Sequence, residues 1–133
     1  MYTCENIVSR FRDRKRSANM VLCGTDCYAD AQSRGNIKSP FDGNVVCGFD
    51  TMEYMLDNTF SKLGIDTDRV DHPLLLTEPL CNPEYSRGQM NELLFEAYQV
   101  QSVNYGLDAL FSAYANNVRD NGLVVSAGRT TTA

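Results

Sequence analysis

The sequence predicts an α/β fold with a parallel βαβαβ core and flanking helices, and three observations predict it. Apolar residues recur on one helical face at Met90, Leu93, Leu94, Ala97 and Tyr98, and again at Leu107, Leu110, Phe111, Tyr114 and Ala115. Both sets follow the i, i+3, i+4, i+7, i+8 spacing of an amphipathic helix. Short apolar runs at residues 74–76, 103–107 and 122–125 lie before, between and after these helices. They lack strict alternation, as strands of a parallel sheet covered on both faces do. A crossover of this order is right-handed in nearly every known case.

From the amino terminus, residues 6–10 are the first strand candidate and run into RFRDRKR, residues 10–16, with five basic groups in seven positions. Clustered Lys and Arg gain affinity for nucleic-acid phosphates by releasing counterions, and such runs also serve nuclear import. The alternative is a solvated loop, interrupted by Asp13. Residues 20–23 form a second strand candidate. Residues 24–35 read as a turn-rich return with a short helix near 29–33, and Pro40, Asp42 and Gly43 punctuate residues 37–46.

Residues 50–64 carry helix signals at both ends: Asp50 with Glu53 as a capping box and Gly64 as the left-handed closing residue. Met52, Met55, Leu56, Thr59, Phe60 and Leu63 keep one face. The two methionines also suit a partner-binding stripe, but helix burial accounts for the spacing with nothing left over. Asp66, Asp68, Asp71 and His72 cluster before the next strand. Two carboxylates and an imidazole suit acid–base or metal chemistry, yet the glycine and closing glutamate of a calcium loop are missing, and a polar surface loop is the simpler reading. Pro73 starts the strand. Asn82 then reads as a helix cap and Pro83 as the first helical residue, with Glu84 favouring the positive end of the dipole.

At 133 residues and 14.9 kDa the chain has the size of one domain. Its net charge of -5 is unevenly spread: residues 1–38 hold seven basic and four acidic groups, and residues 39–133 hold five and thirteen. An acidic body therefore carries a basic amino-terminal arm. No apolar run approaches the ~20 residues of a membrane span, and the first residues show no signal-peptide apolar core, so an intracellular protein is expected. The five cysteines, Cys4, Cys23, Cys27, Cys47 and Cys81, are odd in number and scattered, as free thiols are. Cys23, Cys27 and the single His72 do not complete a four-ligand zinc set, and no metal is expected.

The motifs HPLLLTE (72–78), NP (82–83), LLFEAY (93–98), YGLDALFSAY (105–114) and GLVVSAG (122–128) resemble the actin family in order and spacing. NIVSR (6–10), GTDCYADAQSRG (24–35), FDGNVV (41–46) and FDTMEYMLDNTF (49–60) extend the resemblance over nearly the whole chain. It implies a partial actin-like fold. Residues 1–48 correspond to a subdomain-two-like region with the basic loop, and residues 49–133 to half of subdomain one, running into the first strand of subdomain three.

In actins two glycine-rich hairpins grip the ATP phosphates through backbone N–H groups, and their acidic residues hold Mg²⁺ through water. The resemblance places the second hairpin at the end of this chain. Ser126 stands where actins have an acid, Gly128 keeps the glycine and Arg129 replaces a second acid. Ala133 stands for a histidine, and Asp108 for the glutamine that orients the attacking water. Gly128 and Arg129 are thus the implied remnant of a phosphate hairpin, with no catalytic residue, no ATPase activity, and ATP held only in a full-length form.

The implied role is a non-catalytic structural and interaction subunit, or a fragment of one, of a nuclear ATP-dependent chromatin-remodelling complex serving transcription and DNA repair. Its implied partners are other remodeller subunits and, through the assembly, the nucleosome or DNA, with no membrane. An actin-like ATPase and a generic protein-binding module are the alternatives. A partial sheet leaves unpaired edges and uncovered apolar surface, so the isolated chain is expected to be unstable or paired with something.

Overall fold

The computed structural model describes residues 1–14, 16–67, 69–118, 121–128 and 132. The chain divides into two compact units, Met1–Asp42 with Val46–Thr67, and Gly43–Val45 with Asp68–Ala133.

The first unit is built on a three-stranded antiparallel sheet in the order β2-β1-β3, formed by Val8–Asp13 (β1), Ala18–Cys23 (β2) and Ile37–Lys38 (β3). The β1–β2 register runs from Val8 opposite Cys23 to Asp13 opposite Ala18, and β3 pairs through Lys38 opposite Val8. The basic run is therefore only partly a loop: Arg10 to Asp13 belong to β1, and the chain turns back through Ser17 at φ 53. Alternation explains the strand, because Val8 and Ser9 anchor opposite faces while the arginines extend one face into solvent.

A 3-10 turn over Gly24–Tyr28 leads to the short helix α1, Ala31–Arg34, capped by Asp30, whose Oδ1 accepts from the Gln32 N–H at 3.2 Å. The buried Ser9 hydroxyl donates to the Ser33 carbonyl at 2.7 Å, and the Ser33 hydroxyl donates to the Cys27 carbonyl at 2.7 Å. These bonds tie the far face of the sheet to α1. Phe41–Asp42 (β4) and Val45–Val46 (β5) form a two-stranded hairpin.

The long helix α2 spans Phe49–Lys62 and buries Met52, Met55 and Phe60, the stripe read from the sequence. Its amino end differs from expectation. No side chain caps it; the helix starts behind Gly48, and the N–H groups of Cys47 and Gly48 both donate to the Pro40 carbonyl at 2.9 Å. That backbone clamp sets the entry and leaves Asp50 inside the first turn, where a capping box cannot form. The carboxyl end is as read: Gly64 has φ +81, its N–H donates to Ser61 O at 3.0 Å, and the Ile65 N–H donates to Phe60 O at 2.9 Å. This is a Schellman closure. Leu63, at the cap, is 57% exposed and drops out of the stripe.

The second unit contains a parallel pair, Leu74–Glu78 (β6) and Val103–Leu107 (β7), in register from Leu74 opposite Val103 to Glu78 opposite Leu107. Between them runs helix α3, Glu84–Glu92, which passes directly into a π turn over Leu93–Ala97. The sequence reading gave one regular helix to Tyr98; the π turn instead buries Leu94 fully and leaves Phe95 exposed. Leu94, Val70 and Val100 are buried, the Val100 N–H returns to the Leu94 carbonyl at 3.2 Å, and the Val70 N–H donates to the Tyr98 carbonyl at 2.9 Å. Asn82 and Pro83 are each shifted by one place. Pro83 is the cap residue, and the Asn82 amide donates to Glu78 at 3.1 Å instead of capping.

Helix α4, Asp108–Ala115, follows β7 with no residue between. It buries none of its residues: Leu110 is 51% exposed and Tyr114 71%. Burial along β6 alternates, with Leu75 exposed, so the pair is covered on one face and not on both. The expected third strand does not form. Residues 122–125 join no ladder and Leu123 is 89% exposed. An apolar run becomes a strand only beside an edge that completes its hydrogen bonds, and among the described residues the sheet of this unit has two strands. The α/β class and the parallel strand–helix–strand core stand.

Candidate functional site

Ligand sites of parallel α/β sheets lie at the carboxyl ends of the strands. Here β6 ends at Glu78 and β7 at Leu107, followed by Asp108. Glu78 lies in a polar cluster. Its carboxylate accepts from the Arg87 guanidinium through both oxygens, Oε2 from Nε at 3.1 Å and Oε1 from Nη2, and also from the Asn82 amide at 3.1 Å. The Arg87 guanidinium sits over the Tyr105 ring, 5.5 Å from its centroid, and the Tyr105 hydroxyl donates to Asn91 Oδ1 at 2.7 Å. Helix α3 supplies Arg87 and Asn91, the end of β6 supplies Glu78 and the middle of β7 supplies Tyr105.

Charge-assisted hydrogen bonding from Arg87 holds the Glu78 carboxyl below the usual carboxylate range, against an opposing effect of burial. Glu78 in turn raises the Arg87 guanidinium, and burial raises the Tyr105 hydroxyl. A carboxylate with both oxygens engaged by fixed donors is neither a free base nor a proton source near neutrality. The cluster binds α3 to the strand ends. Sequence reading carried Glu78 only within the HPLLLTE motif, beyond the apolar run at residues 74–76; its signal, an arginine nine residues on in the following helix, carries meaning only once the turn between them is known.

Asp108 begins α4, and its carboxylate accepts from the Ala109 N–H at 2.7 Å. Of the implied phosphate hairpin, Ser126 and Gly128 are exposed, and Ala127 forms an antiparallel bridge with Thr132. Arg129 and Ala133 lie outside the described residues. The hairpin residues in view, Ser126, Ala127 and Gly128, offer no carboxylate to hold Mg²⁺ through water, so they do not by themselves fit a nucleotide–metal group.

In the acidic cluster, Asp71 pairs with Arg69 at 3.6 Å and accepts from the Gln101 amide, His72 is exposed, and Asp68 lies outside the described residues. The Cys23 thiol donates to the Tyr54 carbonyl at 3.5 Å, and the Cys27 thiol to the Leu22 carbonyl at 3.2 Å. Burial is the first cause that pushes the Cys23 thiol up to about 11 and raises Cys27 as well. Among the described residues no group of three His, Cys, Asp or Glu side chains is placed to hold a metal.

The basic run is the other candidate. Arg10, Arg12 and Arg14 are exposed, and Lys15 lies outside the described residues. Arg16 pairs with Asp13 at 3.8 Å, and the Arg10 guanidinium stacks over the Tyr54 ring at 5.0 Å.

A family model described as Actin matches residues 1–133. The chain is 50% identical over 125 residues to the actin-like protein arp5 of Schizosaccharomyces pombe, covering 93% of this chain and 17% of the relative. It is 41% identical over 140 residues to actin-related protein 5 of Arabidopsis thaliana, covering 96% and 19%. It is 40% identical over 126 residues to actin-related protein 5 of Homo sapiens, covering 92% and 21%. The chain thus spans about a fifth of the length of these relatives.

Proposed function

Because this chain belongs to the actin family, we propose that it acts as a non-catalytic structural and interaction part of a nuclear chromatin-remodelling complex, of the INO eighty type. The observation that carries this reading is the likeness, at 50% and 40% identity, to proteins named actin-like protein arp5 in Schizosaccharomyces pombe and actin-related protein 5 in Homo sapiens. Two features of the chain support the non-catalytic part. Glu78 is committed to Arg87 and Asn82 at the strand ends, and Ser126 and Arg129 replace hairpin acids of the actins it resembles. Metal-assisted phosphoryl transfer needs charge neutralisation by Mg²⁺, and the exchanges at Ser126 and Arg129 remove groups that serve it. The proposed partners are other remodeller subunits and, through them, the nucleosome.

The test is to tag the protein that carries this sequence in its own cells, purify it under native conditions and identify its companions by mass spectrometry. Co-purification of a remodeller motor and histones is expected. Recovery without either, across salt conditions that preserve such assemblies, overturns the reading. The same preparation separates the actin-like ATPase alternative, which requires ATP hydrolysis that depends on Mg²⁺ and is lost on substitution within residues 126–133.

A further inference from the structure

The turn that joins β1 to β2 runs from Arg14 to Ser17, and Ser17 follows Arg14, Lys15 and Arg16, so a base occupies each of the three positions before its hydroxyl. Arg14, Arg16 and Ser17 are exposed, and the Arg16 side chain keeps 72% of its surface in solvent while it reaches Asp13 at 3.8 Å. In this sequence arginine stands three residues before two hydroxyls, those of Ser17 and Thr132, and Thr132 lacks the two further bases. Ser9 and Ser33, the other serines of this sheet and its helix, are buried and hydrogen-bonded.

Protein kinases select substrates by charge pattern: carboxylates beside the cleft take arginines at fixed distances before the serine through charge-assisted bonds. The cleft takes its substrate extended, so a turn must open to enter it. Here that opening disturbs no core. Among the described residues from Arg10 to Cys23 none is buried, whereas Val8 and Ser9 are buried at the other end of β1. Release of residues 14–19 breaks the ladder where Asp13 faces Ala18 and Arg12 faces Asn19; the pairs from Phe11 opposite Met20 inward remain, with Arg10 still stacked on Tyr54. Exposed backbone bonds and few buried contacts mark segments that open locally. Ser17 also has φ 53, a left-handed conformation that strains a residue with a Cβ, and an extended chain relieves it.

We infer that Ser17 is a phosphorylation site for a serine kinase that recognises preceding bases, with ATP as the donor. The Ser17 Oγ attacks the γ-phosphorus; an O–P bond forms as the bond from that phosphorus to the bridging oxygen of ADP breaks, and the hydroxyl proton passes to the kinase's base and then to water. Residues 10–16 hold five bases and one acid, and a phosphoserine beside them carries about −1.5 to −2 at pH 7, so the phosphate cancels close to half of their net charge. It also offers Arg16 a stronger acceptor than the Asp13 carboxylate. The turn is thus a charge switch on the amino-terminal arm. Neither the bases nor the turn depends on the remodeller reading, so either proposal can fail alone.

The test incubates the natively purified protein that carries this sequence with the catalytic subunit of the cyclic-AMP-dependent kinase and ATP, and maps the phosphate by mass spectrometry as a gain of about 80 Da. Label on Ser17 is expected, and none at that position in Ser17→Gly, a variant that suits the positive φ. Arg14→Gln, which removes one charge-assisted pair with the kinase, is expected to lower kcat/KM about tenfold or more. A free peptide of residues 10–21 reports the cost of opening, and the protein is expected to react within about a hundredfold of the peptide's rate. Protein isolated from its own cells with phosphatase inhibitors is expected to carry phosphate on Ser17. A protein slower than the peptide by more than that factor, Arg14→Gln equal to wild type, label confined to other residues, or an unmodified Ser17 in the protein from cells would each overturn the proposal.

Discussion

Glu78 carries an ionisation that folding favours. Arg87 and Asn82 donate to its carboxylate, which lowers its folded pKa below that of the open chain, roughly 4.3. The stability that follows is present above the open-chain value and is lost as pH falls through the lower folded value. Thermal unfolding followed by circular dichroism should therefore show a loss of stability below about pH 4 that Glu78→Gln lacks. Parallel pH curves for the two proteins would show that the ion pair contributes nothing. The thiols give a second residue-level outcome. Cys47 and Cys81 are exposed, whereas Cys27 is buried and Cys23, pushed up to about 11, has a thiolate fraction on the order of 3 in 10,000 at pH 7.5. Maleimide labelling read by mass spectrometry should modify Cys47 and Cys81 at least about tenfold faster than Cys23 and Cys27.

Among the elements, α2 was the most legible in the sequence, because its stripe and its closing Gly64 are local: four-residue spacing and a single positive φ suffice. Its start was not, since the clamp on Pro40 joins residues seven and eight apart through backbone atoms that carry no side-chain signal. The basic run was read by composition, and the alternation that makes Arg10 to Asp13 a strand was outweighed by charge. The π turn at Leu93–Ala97 was equally hidden, because a shift of hydrogen-bond partner leaves the apolar spacing unchanged. Within that turn Leu94 is the fully buried side chain. Leu94→Ala should cost about 2–5 kcal/mol in denaturant unfolding, and Leu110→Ala on exposed α4 less than about 0.5 kcal/mol, although the two leucines look alike in the helical pattern. Similar costs would show that the second unit does not centre on Leu94.

At the scale of the molecule, the α/β class and the order of elements were readable because the two helices and their strands repeat local patterns. The covering of the sheet was not, because it depends on which layers surround it. Leu75, Leu110, Tyr114, Leu123 and Val125 remain exposed. Exposed apolar side chains in such number favour self-association, so Leu110→Glu with Leu123→Glu should raise the concentration at which the 133-residue chain forms oligomers, measured by sedimentation velocity. An unchanged distribution would place the contact elsewhere. One junction has a mechanical consequence. The last residue of β7 is Leu107 and the first of α4 is Asp108, and the Phe111 ring lies so close over Gly106 that any larger residue there would meet it. A hinge needs slack, and this joint has no linking residue to supply it: a tilt of the helix must be taken up at Leu107 and Asp108 or against the ring over Gly106.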